Sequence, residues 1–109
     1  MDFEFSPHIA FQVKDYEAAI EFYEKMLGME VVHTDENETE FRCGPITFYV
    51  ERSDDGHTFF EFKVDNLQDA ITRLKRAGCK TRETSVPEGP QSYIVTDPYG
   101  MRFHLWEEE

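Results

Sequence analysis

The chain has 109 residues and a net charge of −12, from 11 Lys and Arg against 23 Asp and Glu. That length supports one hydrophobic core and not two independent ones. A content of 39% hydrophobic and 15% aromatic residues is too rich for a disordered acidic chain.

No apolar run approaches the roughly 20 residues of a membrane helix. Met1 to Phe5 has neither the basic nor the apolar stretch of a secretory signal. Cys43 and Cys79 have no C-x-x-C spacing and no adjacent His, which points to inert buried thiols. Together these features predict a soluble, cytoplasmic, single-domain protein of residues 1–109.

In chain order, Pro7–Val13 alternates, with Ile9, Phe11 and Val13 opposite His8, Ala10 and Gln12, as a strand with one face on a core does. Asp15 is placed to cap a helix in which Tyr16, Ala19, Ile20, Tyr23 and Leu27 recur at helical spacing until Gly28. Val31–Thr34 and Thr39–Cys43 read as strands around a polar turn at 35–38. Gly44-Pro45 breaks the chain, and Ile46–Glu51 alternates again, with Thr47, Tyr49 and Glu51 on one face.

After the polar linker 52–57, Thr58–Val64 alternates, with Phe60 and Phe62 opposite Phe59, Glu61 and Lys63. Asp65 or Asn66 then caps a helix with Leu67, Ala70, Ile71 and Leu74 on its apolar side, ending at Gly78. Cys79–Val86 reads as a strand and Pro87–Pro90 as a turn. Gln91–Thr96 and Met101–Trp106 are strands flanking the turn Asp97-Pro98-Tyr99-Gly100.

Each half is therefore strand–helix–strand–strand–strand, and Val13 … Ala19-Ile20 matches Val64 … Ala70-Ile71 at an offset of 51. The predicted fold class is α+β: two βαβββ modules, about 6–51 and 58–107, form a curved, mostly antiparallel sheet around a cavity with helices outside. Phe11, Phe48, Phe60, Phe62 and Phe103 fall on the helix-facing parity and are expected in the core.

Charge is uneven: residues 1–51 hold three basic against twelve acidic side chains, and residues 52–109 hold eight against eleven. A nucleic-acid or anionic-membrane surface needs a basic contact face, which the first half does not supply. The basic cluster Arg73, Lys75, Arg76, Lys80 and Arg82 is expected on the solvent face of the second helix. Glu107-Glu108-Glu109 is expected as a solvated tail.

The stretches His8–Asp15, Ala19–Tyr23 and Leu27–Met29, together with Asp97–Glu107, resemble the vicinal oxygen chelate superfamily, which includes glyoxalase I, extradiol dioxygenases, and fosfomycin- and bleomycin-resistance proteins. One such scaffold hosts several chemistries. The resemblance implies metal-ligand positions at His8, Tyr49, Phe59 and His104, where glyoxalase I-like members carry His or Gln, Glu, His and Glu. Only His8 matches, and Phe59 has no donor.

The favoured expectation is therefore a protein without a complete metal site. It binds a small aromatic or cationic ligand in the inter-module cavity through His8, Gln12, Tyr49, Phe59, Arg102, His104 and Trp106. No cofactor is favoured. The alternative is a divalent metal (Fe, Ni, Zn or Mn) on His8, His104 and Glu51 or Glu61, serving a lyase, isomerase or dioxygenase. In either case His8 and His104 are the candidate acid–base residues. His57 is either a displaced ligand or an exposed linker residue. A third reading is an interaction module with a vestigial cavity, and a homodimer is expected because superfamily members are commonly dimers.

Overall fold

Alternating apolar residues make the strands, and burial of one face against a helix fixes which way each strand points. A computed structural model gives this arrangement and describes residues 3–84 and 91–108. Two compact units result: Pro7–Thr58, and the residues from Phe59 onward together with those before Pro7. Among the described residues there are eight strands, and no helix is long and apolar enough to cross a membrane.

The first unit contains most of β1 (Phe3–Val13), then α1 (Tyr16–Glu21), β2 (Glu30–Thr34), β3 (Glu38–Cys43) and β4 (Ile46–Arg52). Its strand order is β2-β3-β4-β1, with β1 parallel to β4 and the other pairs antiparallel. The helix buries Tyr16 against Phe41 and Val50, and Val13, Ile20, Tyr23 and Phe48 pack around them. Phe11 joins this layer through Tyr23 and Phe48, both at 6.3 Å between ring centroids.

Two features of α1 differ from expectation. Asp15 makes no side-chain capping bond. The last turn, Phe22–Met26, is π-helical, so the Leu27 amide reaches back to the Phe22 carbonyl at 3.3 Å.

The second unit contains the start of β1, then β5 (Thr58–Val64), α2 (Leu67–Arg76), β6 (Lys80–Glu83), β7 (Ser92–Thr96) and β8 (Arg102–Glu107). The order is β5-β8-β7-β6, with β5 parallel to β8 and the other pairs antiparallel. Leu67, Ala70 and Ile71 of α2 pack on Val64, Val95, Phe103 and Leu105, with Phe60 and Phe62 beside them. Both units are thus strand–helix–strand–strand–strand, which is the paired-module α+β fold. The predicted turn at Pro87–Pro90 lies outside the described residues.

Two side chains cap α2. Asn66 Oδ1 accepts the Asp69 amide at 3.0 Å, a cap of the kind that contributes about 1 kcal/mol. Glu107 Oε1 accepts the Leu67 amide at 2.8 Å. Glu107 and Glu108 are exposed, as the solvated reading expects, and both are also engaged, because Glu108 pairs with Lys63 at 2.8 Å. A carboxylate beside a helix N-terminus or an ammonium has an electrostatic reason to stay there. Past α2, Gly78 turns the chain at φ 96°, a left-handed conformation that an L side chain resists.

Candidate functional site

With one sheet face of each unit committed to its helix, the polar residues of alternate parity gather on the other face. In the first unit the register forms three rows across β1, β4 and β3: His8–Thr47–Arg42, Ala10–Tyr49–Glu40 and Gln12–Glu51–Glu38. The His8 ring meets Tyr49 edge-on, with centroids 5.9 Å apart and planes at 76°. Gln12 exchanges two bonds with the backbone of His57: its amide donates to the His57 carbonyl at 2.8 Å, and its Oε1 accepts the His57 amide at 3.4 Å. That anchorage half-buries His57, so the exposed-linker expectation is corrected.

Glu38 and Glu51 face each other across β3 and β4. Burial first, and then the Glu51 carboxylate, hold Glu38 above the usual carboxylate range. A folded state that binds this proton more tightly than the unfolded chain has the stability present at low pH. That stability is lost as pH rises from the ordinary carboxylate value through the raised one. Glu38→Gln is expected to remove this loss. The melting-temperature gap between variant and parent, measured from about pH 4 to about pH 7, should widen in favour of the variant. Parallel curves would refute the pairing. Asp35 shows the opposite case, because the backbone amides of Asn37 and Glu38 hold its carboxylate below the usual range.

In the second unit the rows run across β5, β8, β7 and β6. Glu61, His104, Ile94 and Arg82 form one row; Lys63, Trp106 and Ser92 form the next; Arg102, Thr96 and Lys80 form a third. Trp106 Nε1 donates to Glu61 Oε1 at 3.0 Å, and Glu61 Oε2 lies 3.7 Å from His104 Nδ1. Glu61 is thus fixed between an indole N–H and an imidazole. Phe59 is 5% exposed and belongs to neither helix-side cluster.

Lys80 and Arg82 were expected on the solvent side of α2, and the register corrects this. Opposite Thr96 and Ile94, they share the face of Arg102 and His104, whereas Thr81 and Glu83 alternate to the helix side. The sequence reads Cys79–Val86 as a strand without stating its face. Choosing the face required the pairing with β7.

A separate cleft of about 310 Å³ lies between α1 and the β2–β3 turn, rimmed by Glu17, Glu21, Glu24 and Glu36. None of the predicted site residues lines it. Cys43 and Cys79 are free and half-buried, and burial pushes both thiols up, as the inert reading expects.

Residues 6–105 match the family described as Glyoxalase/Bleomycin resistance protein/Dioxygenase superfamily. The chain belongs to that superfamily. It is 31% identical to the lactoylglutathione lyase of Salmonella typhimurium, over 92% of this chain and 90% of that protein. Against the lactoylglutathione lyase of Escherichia coli O157:H7 it is 29% identical, over 94% and 91%.

Among solved structures, homoprotocatechuate 2,3-dioxygenase from Brevibacterium fuscum superposes with a TM-score of 0.72 at 20% identity, covering 98% of this chain and 37% of that one. The chain thus spans about a third of the dioxygenase's length. A hypothetical protein from Bacillus halodurans superposes at 0.71 with 12% identity, over 100% and 96%. At these identities the structural likeness shows the fold alone.

At the four positions that the resemblance implies as ligands, the donor chemistry does not fit a chelated ion. Tyr49 is a phenol set against His8, Phe59 has no donor atom, and Glu61, the nearby substitute, is already tied to Trp106 and His104. Divalent ions on such sites take three or four nitrogen or oxygen donors from the protein. Among the described residues no group of three or more His, Cys, Asp or Glu is placed to supply them.

Proposed function

We propose that this chain is a binding member of the superfamily, one that holds a small aromatic organic molecule without a chelated metal. The observation that supports it most is the replacement of donors by ring surface at the family's ligand positions, with Tyr49 edge-on to His8 and Trp106 oriented by Glu61. Aromatic walls with a few fixed polar groups suit a planar guest. In this reading the binding residues of the first module are Gln12, Tyr49 and His8, those of the second are Phe59, Arg102, His104 and Trp106, and the whole chain acts as one domain. A cytoplasmic location and a homodimer belong to the same reading, on the family's pattern.

A panel of aromatic compounds screened by thermal shift, beside elemental analysis of protein purified without chelator, tests this. Ligands that bind the folded chain are expected to raise the melting temperature. His8→Ala and Tyr49→Ala are expected to weaken binding about tenfold with metal content unchanged, in the range of losing about 1.4 kcal/mol of contact. One equivalent of transition metal per chain, lost on His8→Ala, would overturn it. That result would favour the reading supported by the lactoylglutathione lyase relatives, a metal-dependent lyase, isomerase or dioxygenase using His8, His104 and Glu51 or Glu61.

A further inference from the structure

The net charge of −12 is divided by sign between the two modules' helix-free faces. The first module's face carries Glu38, Glu40 and Glu51 against Arg42. On the second module's face, Arg102 and Lys80 flank Thr96 in one row, and Arg82 and His104 flank Ile94 in the next. Strands lie about 4.8 Å apart and same-face residues about 6.6 Å apart along a strand, so the four side chains frame a patch about 10 Å by about 7 Å. Lys80, Arg82 and Arg102 make no ion pair or side-chain hydrogen bond among the described residues. The nearby carboxylates are already engaged: Glu61, in the row of His104 and Arg82, with Trp106 and His104, and Glu4 with Lys63 at 3.6 Å.

A second observation comes from the start of β1. Glu4 meets Lys63 at 3.6 Å and Phe5 meets Phe62 at 5.5 Å between centroids, so the start of β1 lies along β5. Ser6 is 3% exposed, and its hydroxyl is buried without a hydrogen-bond partner among the described residues. A buried orphan hydroxyl is a group that a bound polar molecule or water would satisfy.

We infer that this face of the second module recognises an anionic group, a carboxylate or a phosphate, on the organic guest. The inference rests on the binding reading above and adds the chemical class of the ligand. Arg102 and Arg82 supply forked guanidinium donors, Lys80 a point charge, and Thr96 a hydroxyl between Arg102 and Lys80. Trp106, two residues beyond His104 on the same face, offers ring surface to the remainder of the molecule. Charge-assisted bonds from guanidinium to carboxylate or phosphate are the strong, directional ones, and no such pairing is spent within this face.

Trp106 is the only tryptophan in the chain, so its fluorescence reports occupancy of this face. The experiment titrates the full chain at low ionic strength with benzoate, phenyl phosphate, benzyl alcohol and benzylamine. At least one anion should bind about tenfold or more tighter than benzyl alcohol, and whichever anion leads assigns the carboxylate or the phosphate. Arg102→Gln and Arg82→Gln should each weaken the leading anion about tenfold and leave benzyl alcohol unchanged. Lys80→Gln repeats the test should either arginine variant melt early, and Lys75→Gln, on α2, should change nothing. Benzyl alcohol or benzylamine binding as tightly as both anions overturns the inference while the binding reading stands. Silence from all four compounds, by fluorescence and by calorimetry, removes both.

Discussion

Leu105→Ala is expected to destabilise the protein by about 2 to 5 kcal/mol, the range for removing a fully buried leucine and leaving a cavity. Leu105 is 0% exposed and packs with Val64, Ile71, Val95 and Phe103 under α2. A domain of this size has about 5 to 15 kcal/mol in all, so the variant should approach the edge of folding at room temperature. Its neighbours in sequence are His104 and Trp106, which alternate to the opposite face. The packing that holds Leu105 therefore also aims the imidazole and the indole. Urea unfolding followed by Trp106 fluorescence should show a lower midpoint with an unchanged slope. Leu105→Met, which keeps the volume, should cost less than about 1.5 kcal/mol. A loss below about 1 kcal/mol for the alanine variant would mean that the side chain does not carry the packing described.

Strands were legible in the sequence wherever one face is apolar. Phe11 and Val13, or Phe60 and Phe62, state their direction because a helix waits on one side only, and the structure places them there. Lys80-Thr81-Arg82-Glu83 is a strand without that signal. All four side chains are polar, so only the hydrogen-bonded partner β7 decides which pair meets His104 and Arg102. The sign of charge on the second module's face was hidden for this reason.

Capping was readable as chemistry but not as place. Asp15 and Asn66 are both suitable residues, but only Asn66 adopts the extended backbone, at φ −135° and ψ 102°, that turns its carboxamide onto the Asp69 amide. Glu107 reaches the same helix from 40 residues away, a distance no local pattern reports. Glu61 was visible as a carboxylate of the right parity. Its engagement by Trp106, 45 residues away, depends on the parallel pairing of β5 with β8.

Phe41→Ala should cost about 3 to 5 kcal/mol, at least as much as the leucine variant, and for a different physical reason. Phe41 is 0% exposed at the centre of the first module. The Tyr23 ring stands on it at 89° with centroids 6.2 Å apart, and Tyr23 in turn meets Phe48 at 6.1 Å and Phe11 at 6.3 Å. Edge-to-face pairs of this kind add about 0.5 to 1.5 kcal/mol beyond the area they bury. Deleting Phe41 therefore removes volume and one arm of a ring network whose hub, Tyr23, lies in the π-helical turn.

Phe41→Leu separates the two contributions, because leucine fills most of the volume but has no ring to receive the edge of Tyr23. The leucine variant should lie between parent and alanine variant in urea midpoint. In a double-mutant cycle with Tyr23→Leu, Phe41→Leu should give a coupling of about 0.5 to 1.5 kcal/mol. A coupling of zero would assign the whole effect of Phe41 to burial. The orientation of Tyr23, and with it the π-helical turn, would then need another cause.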